Sequence, residues 1–279
     1  MYCDLHVHSH FSDGTWPPAA IIAEAERIKL DAVALCDHNT VAGLPEFLAA
    51  GKNSPVETVP GIEFSTDYRG TELHILALFV KPEHCEAITR MMEDWKKRKE
   101  QSNIDLVAAL NRAGYDLSYD TIQRKSNGYI NRAHIAAALT EAGYTESVQE
   151  AFKKLLNPGR GFYRPPEKLC AFDIIRFIKS IGAAAVLAHP FLNLEEAGLR
   201  EFLREAVACG LDGMEVMYPK FSPEQAALAE KIAAEFGLLP SGGSDFHGEN
   251  KPDIALGRGR GTLAVPKEWL EALRQRAEK

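Results

Sequence analysis

The sequence predicts an α/β barrel in which a helical insertion interrupts the alternation of strands and helices. The chain has 279 residues, and a single α/β barrel uses roughly 250 of them. Short apolar runs alternate with stretches of helical periodicity, as they do in β-α-β units with a mostly parallel sheet. Hydrophobic residues make up 46% and charged residues 25% of the chain, which is typical of a globular protein and argues against disorder.

Short apolar runs bounded by turn residues are the candidate strands. Helix-like segments separate most of them, and the segment Ser222–Phe236 carries the clearest helix signals. Ser222 can cap this helix, Pro223 suits its first turn, and Gln225 follows the cap by three residues. The predicted strands are Tyr2–Val7, Ala32–Cys36, Glu57–Phe64, Glu72–Val80, Ala183–Ala188, Gly213–Met217 and Leu238–Ser241.

The middle of the chain shows no convincing strand pattern. We expect residues 1–82 and 165–279 to form the barrel, and residues 83–164 to form a helical insertion that acts as a lid. A long amphipathic helix, closed by Gly114, opens the insertion. The shorter helices of the insertion are predicted at Arg132–Ala142 and Glu146–Leu156.

Composition narrows the class of protein further. The five cysteines are an odd count without C-x-x-C spacing, which favours reduced thiols over a disulfide framework or a cysteine zinc site. No apolar run approaches the roughly 20 residues of a membrane span, and the first residues lack a signal-peptide pattern. We therefore expect a cytoplasmic protein without membrane contacts. A formal net charge of −7 argues against general binding to duplex DNA.

Histidine and carboxylate side chains collect where the predicted strands end. Because the C-terminal ends of parallel strands converge on one face of a barrel, we expect these side chains to meet. His6 and His8 share one face of a strand and can reach the same ion. One such histidine alone is more often a hydrogen-bonded core residue, but the set together indicates a metal centre for Zn, Mn or Fe. The set is His6, His8, Asp13, Asp37, His38, Glu63, His74, His189, Asp245 and His247.

Six motifs follow one another in the same regions. They are H-x-H-S-x-x-S-D-G from His6, D-H-N from Asp37, G-I-E ending at Glu63, the single His74, A-H-P around His189, and G-S-D-F-H ending at His247. In order and spacing they resemble the PHP (polymerase and histidinol phosphatase) superfamily over Cys3–Glu83 and Phe172–Gly259. The resemblance implies a distorted (β/α)7 barrel. It is strongest to stand-alone phosphoesterases with a helical insertion, which include nucleoside monophosphate and 3′,5′-bisphosphate phosphatases and a 5′-to-3′ exonuclease of short RNA.

The resemblance also implies three metal sites, and every ligand position holds the expected residue type. Glu63 would bridge the first and second sites. The implied cofactors are two to three divalent transition-metal ions, with Mn as the first choice and Zn or Fe as alternatives. The implied ligands are His6, His8, Glu63 and Asp245 for the first site, Glu63, His74 and His189 for the second, and Asp13, His38 and His247 for the third.

Several roles stay open at this stage. Asp37 either orients a ligand histidine from behind or accepts hydrogen bonds from backbone at the strand end. His189, His247 and Asp245 are the candidate catalytic residues. The acid that protonates the leaving group is His189, His247 or a water on a metal ion, and the sequence does not choose among them.

The insertion contains candidate substrate contacts. Arg132, His134 and Arg160 are expected to bind phosphate, since arginine forks suit phosphate oxygens and related enzymes carry a similar R-x-H in their lid. The alternative is that these residues are solvated surface. One position departs from the family, because many relatives have a histidine directly before the serine that corresponds to Ser222, where this chain has Phe221. Substrate preference can therefore differ from that of those relatives.

We expect a metal-dependent phosphoesterase that hydrolyses phosphomonoesters of nucleotides, such as AMP and 3′,5′-bisphosphates, or short 5′-phosphorylated oligonucleotides. Three divalent ions and three carboxylates leave the centre at about +3, so an acidic protein can still attract a phosphate dianion. The alternatives are a histidinol-phosphate-type phosphatase, an amidohydrolase-like C–N hydrolase and a non-catalytic PHP module of the kind attached to DNA polymerases. Glu63 in the bridging position weighs against the second, whose bridging ligand is often a carboxylated lysine.

Overall fold

The computed structural model describes residues 2–125, 130 and 132–278. It divides into two compact units, of which the first comprises Met1–Arg90 and Leu169–Lys279 and the second comprises Met91–Lys168. The second unit therefore begins and ends a few residues later than the insertion of residues 83–164 that the sequence predicts.

Among the described residues, eight strands form one sheet, and all of them belong to the first unit. They are β1 (Tyr2–Val7), β2 (Ala32–Leu35), β3 (Glu57–Tyr68), β4 (Thr71–Leu78), β5 (Ala184–Leu187), β6 (Gly213–Met217), β7 (Leu239–Gly242) and β8 (Val265–Pro266). Their order across the sheet is β7-β6-β5-β4-β3-β2-β1-β8. Each predicted strand is present, whereas the two-residue β8 is too short to leave a pattern in the sequence.

Two strands of the described sheet run against the parallel direction that the sequence predicts, the short β8, which pairs antiparallel with β1, and β4. β4 pairs antiparallel with both β3 and β5, while the pairs β1–β2, β2–β3, β5–β6 and β6–β7 are parallel. The reversal is made by a hairpin whose two loop residues, Arg69 and Gly70, both have positive φ, as tight hairpin turns require. Because β4 is reversed, His74 near its start lies opposite Ser65. It thus reaches the edge of the sheet where the parallel strands end.

The segment after β7 returns to β1 and curls the sheet towards closure. The N–H of His8 donates to the carbonyl of Phe246 at 3.0 Å, and the N–H of Asp245 donates to the carbonyl of His6 at 2.8 Å. The β1–β2 register shifts between Asp4 and Val7, and irregularities of this kind re-aim side chains next to active sites. The architecture is the expected distorted α/β barrel.

Helices connect the strands and make up most of the second unit. The α-helices of the described residues are α1 (Pro18–Arg27), α2 (Leu44–Gly51), α3 (Cys85–Arg112), α4 (Tyr119–Lys125), α5 (Arg132–Glu141), α6 (Val148–Ala151), α7 (Ala171–Ser180), α8 (Glu196–Ala208), α9 (Pro223–Glu235) and α10 (Lys267–Ala277). The capping box predicted for α9 is present, with reciprocal bonds between Ser222 and Gln225. No helix in the described part of the chain is both long enough and apolar enough to cross a bilayer.

The two units have separate apolar cores. In the first, strand residues such as Cys3 and Leu5 pack with Leu270 and Leu273 of α10, and all four are fully buried. In the second, α3 to α6 and the π-helical turn Phe152–Leu156 enclose a core of their own. Each unit thus has the buried apolar surface that holds its elements together.

Candidate metal centre

The structure brings the nine side chains expected as metal ligands into one cluster where the parallel strands end. Their ligand atoms form four overlapping groups, and within each group the atoms lie within 4.8 Å of one another. The overlap means that several residues face more than one possible ion position. The groups are His6, Glu63 and His189; His6, His8 and Asp245; His38, Glu63 and His74; and His8, Asp13, His38 and His247.

The carboxylate of Glu63 lies at the centre of the cluster and is fully buried. Its Oε1 atom lies 2.8 Å from Nδ1 of His74 and 3.1 Å from Nε2 of His189. Its Oε2 atom faces three other imidazole nitrogens at 3.1, 3.2 and 3.1 Å, those of His6, His8 and His38. The two oxygens therefore face different sets of histidines, which is the arrangement that a bridging carboxylate needs.

Two aspartates complete the cluster. Oδ1 of Asp245 lies 3.3 Å from Nε2 of His8 and 3.4 Å from Nδ1 of His247. Oδ1 of Asp13 lies 3.2 Å from the other ring nitrogen of His247. The side chain of Asp13 is 56% exposed, whereas Asp245 is buried. Among the four groups, the one that contains Asp13 therefore has the most exposed side chain.

Several polar atoms of the cluster are buried without a hydrogen-bond partner among the described residues. They are Nε2 of His6, both ring nitrogens of His8, Nδ1 of His38 and Oε2 of Glu63. Burying such atoms unsatisfied costs free energy. Coordination of divalent cations would use the lone pair on one nitrogen of each ring and on Oε2 of Glu63, and nitrogen with carboxylate oxygen is a donor set that transition metals accept. The residues present therefore fit the metal ions that the sequence implies.

Burial and neighbouring charges set the pKa values of the cluster in the absence of bound ions. Burial opposes the ionisation of Glu63, but the neighbouring His6, His38 and His74 hold its pKa well below the usual value. Burial lowers the pKa of His38 to about 4. Burial also disfavours a charged His74, yet the Glu63 carboxylate raises its pKa to about 10. A metal ion that binds His74 must displace the proton that this ring carries below its pKa. Ions therefore bind the cluster more tightly as pH rises.

A glutamate that sequence reasoning missed holds two of the histidines. Glu215 on β6 is fully buried. Its Oε1 atom lies 3.0 Å from Nδ1 of His6, and its Oε2 atom accepts the backbone N–H of His189 at 2.6 Å. A carboxylate behind a ligand imidazole fixes the orientation of the ring. The only signal in the sequence is one charged residue within an otherwise apolar strand.

Asp4 is a second buried carboxylate that the sequence analysis did not select. It accepts hydrogen bonds from the N–H groups of Ser244 at 2.8 Å and Gly257 at 2.7 Å. The Ser244 bond fixes the residue next to Asp245. In the same segment, a Cβ atom on Gly243 would lie 2.3 Å from Cβ of His6, so only glycine allows this close approach. Asp4 and Gly243 together position Asp245 against the first strand.

The hydrogen bonds of Asp37 bear on the two roles that the sequence left open for it. Its carboxylate accepts bonds from the N–H of Ser9 at 2.8 Å, the hydroxyl of Ser9 at 2.7 Å and the hydroxyl of Ser12 at 2.6 Å. These bonds hold the loop between His8 and Asp13 rather than the ring of a ligand histidine. Asp37 therefore affects the cluster indirectly, because it fixes the loop that ends at Asp13.

The second oxygen of Asp245 faces two donors that lie outside the cluster. Oδ2 accepts a hydrogen bond from the Tyr218 hydroxyl at 2.8 Å and another from the Lys251 ammonium at 2.6 Å. Burial, followed by the Asp245 charge, raises the pKa of Tyr218, so its hydroxyl stays protonated and donates. The Lys251 side chain is 28% exposed. Sequence reasoning missed Lys251, because a single lysine in a turn carries no pattern.

Two residues of the cluster have backbone conformations that non-glycine residues rarely adopt. His189 has φ 27° and Asp245 has φ 55°. Such conformations cost about 1–3 kcal/mol each and persist where surrounding contacts hold them. The bond from the His189 N–H to Glu215 and the bond from the Asp245 N–H to the His6 carbonyl supply those contacts.

A family model described as the PHP domain matches residues 4–163, which is more than half of the chain. The chain belongs to the PHP family. The motifs that carry the resemblance in the sequence are the ones that supply the clustered histidines and carboxylates of this PHP barrel.

Individual relatives of this PHP chain are named as phosphoesterases. It is 32% identical over 245 residues to a 5′-3′ exoribonuclease of Haemophilus influenzae, covering 88% of this chain and 89% of the relative. It is 28% identical over 256 residues to a 3′,5′-nucleoside bisphosphate phosphatase of Chromobacterium violaceum, covering 90% of each. A solved structure from Bifidobacterium adolescentis, described as a metal-dependent phosphoesterase, aligns with a TM-score of 0.71 at 28% identity over 98% of this chain and 96% of that one. This PHP protein is a metal-dependent phosphoesterase, and hence a hydrolase.

The candidate substrate contacts of the PHP chain lie in the second unit. Arg132, at the start of α5, stacks over the ring of Tyr163 at 4.4 Å and donates to the carbonyl of Leu156 at 3.2 Å. His134 lies on the same helix, and Arg160 is exposed. Arg132 therefore has packing partners within its own unit, a role that the sequence analysis did not consider.

Proposed function

We propose that this PHP phosphoesterase removes terminal phosphate groups from nucleotides and prefers a 3′,5′-bisphosphate or a short 5′-phosphorylated RNA to AMP. The observation that supports this proposal most directly is the position of Glu63, whose two oxygens face separate sets of histidines. Such a site can hold several ions, and three ions with three carboxylates leave it at about +3. This charge favours a terminal phosphate dianion over a singly charged internal diester. The name of the Chromobacterium relative supports the bisphosphate. The Haemophilus relative is named for cleavage of RNA from its 5′ end, so its name supports binding of a short RNA but not removal of a terminal phosphate from it.

We propose that the cluster holds two to three divalent transition-metal ions, with Mn as the first choice and Zn or Fe as alternatives. The ligands are the three sets that the family resemblance implies, and the buried unsatisfied atoms of His6, His8, His38 and Glu63 support them. Elemental analysis after reconstitution should give at least two ions per chain. Fewer than one ion per chain after reconstitution with Mn or Zn would contradict the proposal.

Bound ions would supply a water of lowered pKa and neutralise phosphate oxygens. The chain's own groups would bind and orient the substrate around them. Lys251, 28% exposed beside Asp245, offers an ammonium that can donate a charge-assisted bond to a phosphate oxygen. The leaving oxygen would take its proton from His189, from His247 or from a water on an ion, and a ligand imidazole can donate only from the ring nitrogen that does not hold the ion. Tyr218 would keep Asp245 oriented through its hydroxyl.

A panel of phosphate esters tests the substrate proposal. The substrates are AMP, adenosine 3′,5′-bisphosphate, histidinol phosphate and one short RNA with either a 5′-phosphate or a 5′-hydroxyl. We expect kcat/KM to be highest for the bisphosphate or the 5′-phosphorylated RNA, and the 5′-hydroxyl RNA serves as the matched control. If AMP equals or exceeds the bisphosphate, the enzyme is a simple nucleotide monophosphatase. If histidinol phosphate is the best substrate, the alternative phosphatase function is correct.

Arg132, His134 and Arg160 stay proposed substrate contacts. Replacing Arg132 with alanine should raise KM for phosphorylated substrates and leave kcat nearly unchanged, because binding is lost more than chemistry. Arg124→Ala, on α4, is the matched control for a lost surface arginine. A lower melting temperature with unchanged kinetics would instead assign Arg132 to packing on Tyr163.

A further inference from the structure

A row of aromatic rings leads outwards from the metal cluster. The ring of Tyr218 lies 5.3 Å from the ring of His189, and the ring of Phe221 lies 5.3 Å from that of Tyr218. Phe191 follows at 5.5 Å from Phe221. We call Phe191, Tyr218 and Phe221 the aromatic wall. It begins at a candidate metal ligand and ends at the surface of the protein.

The aromatic wall comes from two chain segments, and each segment is attached to a residue of the metal cluster. Tyr218 is buried and donates its hydroxyl proton to Asp245 at 2.8 Å. The N–H of Phe221 donates to the carbonyl of Tyr218 at 3.0 Å, which sets the turn between the two rings. Phe191 lies in a short helical turn that begins directly after His189. The rings are therefore held in place before any ligand arrives, and this reduces the entropy cost of binding.

The outer part of the aromatic wall is accessible. Phe191 and Phe221 are only partly buried, and the neighbouring Leu192 is 43% exposed. Aromatic side chains beside a few convergent polar groups are the usual lining of a small-molecule site. Phe221 also stands where the family resemblance predicts a histidine, so the wall is a feature of this chain.

We infer that Phe191 and Phe221 bind the nucleobase of the substrate by stacking while its terminal phosphate lies at the metal cluster. The inference rests on the proposed function and names what recognises the rest of the substrate. Every nucleobase has a π face that stacks on aromatic side chains without regard to base identity. The two phenylalanine rings carry no hydrogen-bonding group, so a bare sugar phosphate gains little from them. The wall thus selects nucleotides over phosphate esters that lack an aromatic group.

Binding of two phosphonate analogues to the metal-loaded protein tests this inference. One is the analogue of AMP in which a methylene group replaces the ester oxygen, and the other is the matching analogue of ribose 5-phosphate. For Phe221→Leu we expect the Kd of the AMP analogue to rise about tenfold, since stacking contributes about 1–3 kcal/mol per base. The Kd of the ribose analogue should change by less than about twofold, because stacking does not contribute to it.

Controls separate stacking from structural damage. Phe221→Tyr keeps an aromatic face and should retain tight binding of the AMP analogue, and Phe191→Leu provides a second test should Phe221→Leu fold poorly. Tyr2→Leu, at a residue 53% exposed on β1, is the matched control for losing a surface ring. Equal weakening of both analogues, or no change in either, would overturn the inference. The phosphonates are not cleaved, so this outcome is independent of which ester the enzyme hydrolyses.

Discussion

Oε1 of Glu215 lies 3.0 Å from Nδ1 of His6. Because Nδ1 faces Glu215, Nε2 is the ring nitrogen that remains to hold an ion. It points into the cluster, 3.1 Å from Oε2 of Glu63. The other oxygen of the Glu215 carboxylate accepts a hydrogen bond from the backbone N–H of His189. One buried side chain on β6 therefore orients a candidate ligand within β1 and another that follows β5.

Replacing Glu215 with glutamine should weaken metal binding by about 10- to 100-fold, because an orienting partner of a ligand histidine is lost. Competition with a chromogenic chelator measures the affinity. Glu230→Gln, at an exposed position on α9, is the matched control and should bind metal as the unmodified protein does. Metal affinity unchanged in Glu215→Gln would show that His6 needs no partner.

Glu63→Gln removes the charge that faces five histidines, and the expected result is loss of metal and a decrease in turnover by orders of magnitude. Metal content by elemental analysis and phosphate release together make the measurement. Glu230→Gln again controls for the change of carboxylate to amide. Near-normal activity in Glu63→Gln would be incompatible with a bridging role for this residue.

The clustering of the candidate ligands could be predicted because it depends on local periodicity and on where strands end. His6 and His8 alternate on one strand, and the strand bounds Tyr2–Val7 and Gly213–Met217 match the prediction. Glu215 could not be predicted, since its role comes from contacts with residues distant in sequence. Lys251 could not be predicted either, because a single lysine in a turn carries no pattern, although its partner Asp245 is only six residues away. The direction of β4 depends on the hairpin at Arg69, which a mostly parallel pattern does not reveal.

Lys251→Met should raise KM for phosphorylated substrates about tenfold, since a hydrogen bond to a charged group contributes about 1.5–3 kcal/mol. Lys251→Arg should retain most of the binding, and Lys52→Met, at an exposed position, controls for the loss of one positive charge. Steady-state kinetics and metal content are measured on the same samples. A loss of metal without a change in KM would mean that Lys251 only holds Asp245.

The thiols should differ sharply in reactivity. Burial raises the pKa of Cys3 to about 12 and that of Cys36 well above the usual value, while Cys170 is exposed. Because the thiolate is the reactive form, a disulfide reagent at pH 8 should label Cys170 first and reach Cys3 and Cys36 only after unfolding. Cys170→Ser should remove the fast phase. Rapid labelling of Cys3 in the folded protein, detected by mass spectrometry, would contradict this.

The bond between Asp4 and Ser244 joins residues that are 240 positions apart in the chain. During translation, at about 5–20 residues per second, the first strand leaves the ribosome long before the segment that it must bind. His6 and His8 therefore lack Asp245 and His247 as neighbours until synthesis has passed residue 247. A product of interrupted synthesis that stops before residue 245 lacks both the segment that closes the barrel and part of the ligand set. We therefore expect the proposed metal ions to be bound in full only by chains whose synthesis has passed residue 247.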